Sequence, residues 1–199
     1  MTKASQGRGE LTPMESRILR AAVKLFAEKG FDATTVQEVV AAAEVTKGAL
    51  YHYFDSKDDL LYEIYHSLIG LQTADLDAII AQDLGAKETV RAILMNLVVS
   101  TAARIDETAV FVREMHKLNS ERMAAFRADR RRYQRTFRDV IAKAQAAGEF
   151  AAVVPADTAV LIALGVVNQL PTWYRPDGPK SAEQLGAEIA DFVLAALAA

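Results

Sequence analysis

Apolar positions recur at helical spacing along almost the whole chain. From Pro13 onward, Ile18, Leu19, Ala22, Val23 and Phe26 fall three and four residues apart up to Lys29, and Gly30 follows as a C-terminal stop. Thr34 and Thr35 each stand three positions ahead of a Gln or Glu, the spacing of a capping box. Either one opens a short helix carrying Val36, Val39, Val40 and Ala43 and ending near Glu44. After a brief turn Thr46 caps the segment TKGALYHYF, in which Leu50 and Phe54 lie one turn apart on an apolar face. A helix of only about two turns persists when neighbours pack on it. A fourth helix starts at Ser56 or Lys57, with Asp58 and Asp59 where carboxylates suit the positive helix end. It runs through Leu60, Leu61, Ile64, Tyr65 and Leu68 to about Ala81.

The same periodicity predicts helices over 86–104 and 107–118, then a long arginine-rich one over 121–147 that stops at Gly148. Pro155, Ala156 and Asp157 open a strongly apolar helix to about Trp173. Pro171 and the run Arg175-Pro176-Asp177-Gly178-Pro179 then force an exposed turn. The last helix, over 181–197, carries Leu185, Ile189, Phe192, Val193 and Leu197 as a broad apolar stripe. No alternating strand pattern or internal repeat interrupts this series, so the fold class is all-α with nine helices. The division is a flexible tail over 1–12, a helix-turn-helix domain over 13–56 and a helical body over 57–199.

Composition narrows the function. With no cysteine, disulfides, thiol switching and cysteine-ligated metals are excluded, and three scattered histidines are a weak basis for any metal site. The N-terminal segment has no apolar run after its basic residues, and no stretch approaches bilayer-spanning length. The expectation is therefore a cytoplasmic protein without a membrane partner. Enzyme signatures are missing: there is no glycine-rich phosphate loop and no HExxH, and the Glu114–His116 step does not fit a di-iron bundle. Neither catalysis nor a cofactor is expected. The net charge of −3 argues against a nonspecific polyanion binder, yet a DNA-binding protein needs only a local basic face.

The third predicted helix supplies such a face. With Leu50 and Phe54 inward, Lys47, Gly48, Tyr51 and His52 turn to the opposite and flanking sides, where phosphates and base edges of a major groove are natural partners. A glycine within a helix costs on the order of 1 kcal/mol against alanine, so Gly48 implies a close approach, either to DNA or to the second helix. Lys57 sits at a helix start, where its charge opposes the dipole, and an external phosphate is the simpler partner. Backbone amides near Thr35 and Lys57 would complete a phosphate clamp. Residues 1–56 carry equal numbers of basic and acidic side chains, so this reading rests on placement and not on charge excess. A helical adaptor binding only protein would leave this cationic, aromatic face without a purpose.

The stretch from Ile18 to Leu60, AAVKLFAEKGFDATTVQEVVAAAEVTKGALYHYFDSKDDL at its centre, closely resembles the N-terminal domain of the TetR family of repressors. Its signature is the Phe and Gly closing the first helix, Thr-Thr-Val opening the second, and TKGALYHYFDSKDDL across the third into the fourth. The resemblance implies DNA contacts by Thr35, Lys47, Tyr51, His52, Tyr53 and Lys57, with Leu50 and Phe54 in the core, and Thr46 and Gly48 at the start of the same helix join them as candidate DNA-binding residues. It also implies a homodimer on a near-palindromic double-stranded operator, and a ligand-binding and dimerisation body behind the helix-turn-helix. The segment TWYRPDGPKSAEQLGAEIADFVLAAL is similar to family members that regulate lipid and steroid side-chain catabolism and respond to acyl-CoA thioesters.

On that reading the helices over 157–173 and 181–197 pack against their dimer mates as a four-helix bundle, with Trp173, Leu185, Ile189, Phe192 and Val193 at the seam. A hydrophobic small-molecule effector occupies a cavity walled by Leu68, Leu94, Val98, Phe111, Met115, Phe137 and Ile141, with Val166 and Leu170 behind. Asn168 and Gln169 are amides on an apolar helix that need partners if buried. Arg131, Arg135 and Arg138 share one face of the arginine-rich helix, suited either to a solvated surface or to docking the phosphates of an acyl-CoA. The alternative effector class is a drug or aromatic compound in an open, aromatic cavity without a cationic exit.

Overall fold

The computed structural model describes residues 11–198, so residues 1–10 of the expected N-terminal tail lie outside it. Among the described residues there are ten α-helices, a single 3-10 turn and no strand.

The chain forms two compact units that meet inside one helix, between Ile64 and Tyr65. In the first, α1 (Pro13–Lys29) begins with a complete capping box between Thr12 and Glu15 and with Pro13 in its first turn, which lacks only an N–H that would be unpaired there. Gly30 ends it at a positive φ of 87°. Of the two candidate caps for α2 (Val36–Ala42), Thr35 is used. Thr34 is buried instead and donates its hydroxyl to the Gly30 carbonyl at 2.8 Å. The turn into α3 (Lys47–Tyr53) passes through Glu44 at a φ of 52°, and Arg17 of α1 donates to the Glu44 carbonyl at 3.3 Å. That bond holds a non-glycine residue in the left-handed region, where it is otherwise disfavoured. The core here is Ile18, Ala22, Phe26, Val39, Leu50 and Phe54, each fully buried, with Phe31 edge-on to Phe26 at 5.2 Å.

The first two turns of α4 (Lys57–Ile80) belong to this unit, because Leu60, Leu61 and Ile64 are buried in it. The unit therefore extends beyond residue 56, where the sequence set the boundary: core burial, not the helix start, decides where it ends.

The second unit is built from the remainder of α4 and from α5 (Ala86–Ala103), α6 (Ile105–Glu114), α7 (Ser120–Ala146), α8 (Ala156–Asn168), α9 (Leu170–Trp173) and α10 (Ala182–Leu197). A 3-10 turn, Met115–Lys117, follows α6. Helices α5, α7, α8 and α10 enclose the main apolar core, and α10 lies close along α5. Gly186 makes that approach possible, since a Cβ there would come within 3.3 Å of the Met95 Cα. Gly148 closes α7 at a φ of 77°, and Gln145 donates to the carbonyls of Ala151 and Val154, both at 2.8 Å, which ties down the loop that follows.

The helix expected over 157–173 is two helices. Pro171 has no N–H for the Val167 carbonyl and its ring crowds that group, so α8 ends at Asn168 and α9 starts after Gln169. This break makes ten helices where the periodicity implies nine.

Candidate nucleic-acid interface and effector pocket

Thr46 caps α3 by accepting the Ala49 N–H at 3.1 Å, and Leu50 and Phe54 anchor the helix from within. Lys47, Gly48, Tyr51 and His52 are all exposed, while Tyr53 is half-buried and meets His52 edge-on at 4.9 Å. The Lys47 ammonium lies 5.8 Å from the Tyr51 ring. A Cβ on Gly48 would meet nothing nearer than the Thr46 hydroxyl at 3.9 Å. This removes a close approach to α2 as the reason for the glycine.

Two features of the expected clamp are corrected. Lys57 is not waiting for an anion: its ammonium donates to the Phe31 and Thr34 carbonyls at 2.7 and 2.9 Å and reaches that of Asp32 at 3.4 Å. It also sits 4.3 Å from the Phe31 ring. With its donors spent on the loop between α1 and α2, Lys57 is a strut for that loop. The amide of Thr35 is likewise taken, donating to Glu38 at 2.8 Å while the Thr35 hydroxyl donates to the same carboxylate at 3.0 Å. Glu38 is partly exposed, and the Lys29 ammonium above all, with Thr35, holds its pKa down to about 2.

In the second unit a small cavity of about 30 Å³ is lined by α4, α5, α6, α7 and α8. Its aromatic wall is Tyr65, Phe111 and Phe126, with ring centroids 5.2 to 6.1 Å apart. Tyr65 donates to the Val110 carbonyl at 3.3 Å, and burial, assisted by Glu114, pushes its pKa up. Of the expected lining residues, Leu68, Phe111 and Asn168 are in the wall. Leu94, Val98, Phe137, Ile141 and Leu170 are not: all five are fully buried in the main core, the first four on other faces of helices that line the cavity and Leu170 on α9. Met115 starts the 3-10 turn outside the wall. Val166 and Gln169 point to solvent, because α8 presents Leu164 and Asn168 inward and the positions beside them outward.

Sequence reasoning passed over Gln72, Arg130 and Tyr133, which also line this cavity. The available signal was register, since Arg130 and Tyr133 share a helix face with Phe126 and Phe137.

Arg131, Arg135 and Arg138 do come together, in an open groove of about 230 Å³ between α7 and α8 with Gln134, Asp157 and Leu161. Arg138 is committed to Asp139 at 3.1 Å, which raises its pKa. Arg131 and Arg135 pair with no carboxylate among the described residues.

Phe192 is 70% exposed and Trp173 is 45% exposed. Leu161, Ile162 and Val166 of α8 are exposed as well, so α8, α9 and α10 each carry large apolar side chains in solvent. Leu185 and Val193, expected at the same seam, are buried in the core instead, and Ile189 is half-buried against it. The close contact of α10 with α5 at Gly186 fixes which stripe faces inward.

Residues 83–197 match the model of the tetracyclin repressor-like C-terminal domain. The chain belongs to the TetR family. Residues 18–64 match the model of bacterial regulatory proteins of the same family, so both units are accounted for. The TetR chain is 25% identical over 187 residues to the HTH-type transcriptional repressor KstR2 of Mycobacterium tuberculosis, covering 94% of each chain. Among solved structures it is similar to the TetR-family regulator PfmR of Thermus thermophilus, with a TM-score of 0.83 and 30% identity over 90% of this chain and 97% of that one. It also resembles AibR in complex with isovaleryl coenzyme A and operator DNA, with a TM-score of 0.77 and 26% identity over 92% and 97% of the two chains. Like its relatives, this TetR chain is a DNA-binding transcriptional regulator and not an enzyme. No helix among its described residues is long and apolar enough to cross a membrane.

Proposed function

We propose that the protein is a ligand-responsive repressor that binds a palindromic operator as a homodimer and is released by an acyl-CoA or a related hydrophobic carboxylic effector. The observation that carries the DNA half is the exposed Lys47–Tyr51–His52 face of α3, opened at Gly48 and backed by the anchored Leu50 and Phe54. Such a helix fits a major groove, with Lys47 and the N-terminal Thr46 towards phosphates and Tyr51, His52 and Tyr53 towards groove edges. Thr35, at the exposed start of α2, is the remaining candidate contact. The site of action is then the cytoplasm.

The outward apolar face of α8 and α10 supports the dimer. Large exposed apolar side chains such as Phe192 on α10 and Ile162 and Val166 on α8 call for a partner, and a twofold axis across α8 and α10 covers them with a second copy. Two recognition helices one helical turn of DNA apart then read both half-sites.

The α7–α8 groove supports the effector class. Arg131 and Arg135 offer unspent guanidinium groups beside Val160 and Leu161, with Asp157 of the same groove facing Arg138 at 3.9 Å, an arrangement suited to a polyanionic head with a greasy tail. AibR, solved with isovaleryl coenzyme A, supports the same class. The cationic groove favours this over a drug sensor, whose chamber needs no cationic exit. Because α4 starts at Lys57 and also lines the cavity with Tyr65 and Leu68, an effector that shifts α4 shifts the base of the helix-turn-helix.

The test is electrophoretic mobility on the DNA upstream of the protein's own gene, titrated with a long-chain acyl-CoA and in parallel with the matching free acid. Release of a twofold-symmetric complex by the thioester supports the account. A complex that neither compound disturbs refutes the effector class.

A further inference from the structure

Arg130 is the one arginine of α7 whose side chain lines the inner cavity. Its guanidinium lies 6.0 Å from the Phe111 ring and is half-buried. Elsewhere on α7 the chain supplies acids: Asp77 pairs with Arg132, and Asp139 with Arg138. Arg130 pairs with no carboxylate among the described residues, and burial alone depresses its pKa. A ring contact of this kind is worth only about 0.5–1 kcal/mol where water still reaches it, so it does not by itself account for a half-buried cation.

Three further groups on the same cavity wall have unspent hydrogen-bonding capacity. The amides of Gln72 and Asn168 and the hydroxyl of Tyr133 have no partner among the described residues. By contrast, Tyr65 and Thr108 are committed to the carbonyls of Val110 and Arg104. Of the nearby acids, Glu114 pairs with Arg113, and none acts measurably on Arg130, whose only perturbation is burial. An otherwise apolar cavity therefore collects one cation and three free polar groups with no anion among them.

We infer that Arg130 is a specificity-determining residue that selects an effector whose buried apolar end terminates in a carboxylate. A carboxylate matches the guanidinium fork with two parallel bonds, and the amides and hydroxyl supply its remaining donors. The cavity holds only about a water's worth of space, so the effector enters by displacing the side chains around Leu68 and Phe111. Arg130 and Tyr133 face this cavity while Arg131, Gln134 and Arg135, beside them on α7, face the outer groove. One effector that spans the α7–α8 seam then presents a carboxylate inward and a polyanionic head outward. This inference rests on the effector-sensing reading above, and it adds a requirement that reading does not contain.

The experiment is calorimetric titration of the full-length protein with four probes: octanoyl-CoA, suberyl-CoA, octanoate and suberate. The last member of each pair adds a terminal carboxylate to the same eight-carbon chain. The wild-type protein is expected to bind suberyl-CoA about tenfold more tightly than octanoyl-CoA. R130M should abolish that preference while leaving octanoyl-CoA affinity within about threefold, R130K should keep part of it, and R135M should weaken both thioesters alike. Thermal denaturation confirms that each variant is folded, and R130K carries the test if R130M is not. Equal affinities in the wild type, or a preference that survives in R130M, overturn the inference and leave the acyl-CoA reading standing. If only suberate binds, and R130M abolishes that binding, the CoA reading falls and the role of Arg130 stands. If none of the four binds, both fall.

Discussion

Replacing Lys57 by methionine separates a structural strut from a DNA contact. The ammonium makes two short bonds, to the carbonyls of Phe31 and Thr34, a longer one to that of Asp32, and a contact with the Phe31 ring. Hydrogen bonds to charged groups contribute about 1.5–3 kcal/mol each when well shielded. Lys57 is half-buried and the freed carbonyls can be rehydrated, so each short bond is discounted to roughly 1 kcal/mol. The ring contact adds about 0.5 kcal/mol, of which methionine's thioether recovers a part. The net loss is then about 2 kcal/mol, or a fall of about 4–8 °C in Tm for a chain of this size. Differential scanning calorimetry measures it, with K47M as the control. Lys47 touches only the exposed Tyr51 ring, so K47M should leave Tm unchanged and weaken DNA binding. An unchanged Tm for K57M, together with a loss of DNA affinity as large as that of K47M, would refute the strut.

Gly48→Ala adds a methyl into open space on a helix, so stability should rise by up to about 1 kcal/mol while operator affinity falls, read by thermal melting and anisotropy on one preparation. Phe192→Glu should convert a dimer to a monomer in sedimentation without lowering the stability of the isolated chain, because the side chain touches little of its own protein. Gly186→Val should destabilise by about 1–3 kcal/mol in denaturant titration, since even a Cβ meets the α5 backbone. Glu38 has a folded pKa held below its ordinary value, so its stabilising contribution is complete above about pH 4.5 and is lost as the pH falls towards 2. Melting curves of the wild type and E38Q should accordingly differ at pH 6 and converge towards pH 2.

The helix-turn-helix was legible because its signals are local. The Thr46 cap, the one-turn spacing of Leu50 and Phe54, and an unneeded glycine define both faces of α3 within nine residues of chain. Lys57 was misread for the opposite reason: its partners are carbonyls more than twenty residues upstream, and no pattern around Lys57 announces them. On α10 nearly every turn is apolar, so periodicity alone did not choose between Val193 and Phe192 for the inward face. Gly186, by admitting the α5 backbone, marks that face, and it is readable once α5 is known to be the neighbour. The arginines of α7 divide by a single step of register, Arg130 inward and Arg131 outward, and which step faces the cavity depends on how α7 packs against α8.

The central claim, that the exposed face of α3 holds DNA, is tested most directly by fluorescence anisotropy of a labelled upstream duplex, titrated with wild type and K47M across a series of salt concentrations. If Lys47 meets a phosphate in each protomer, K47M should bind more weakly, and its log K against log salt slope should be shallower by about 0.9 per protomer, or about 1.8 for the dimer. Identical affinities and slopes for the two proteins would contradict the account.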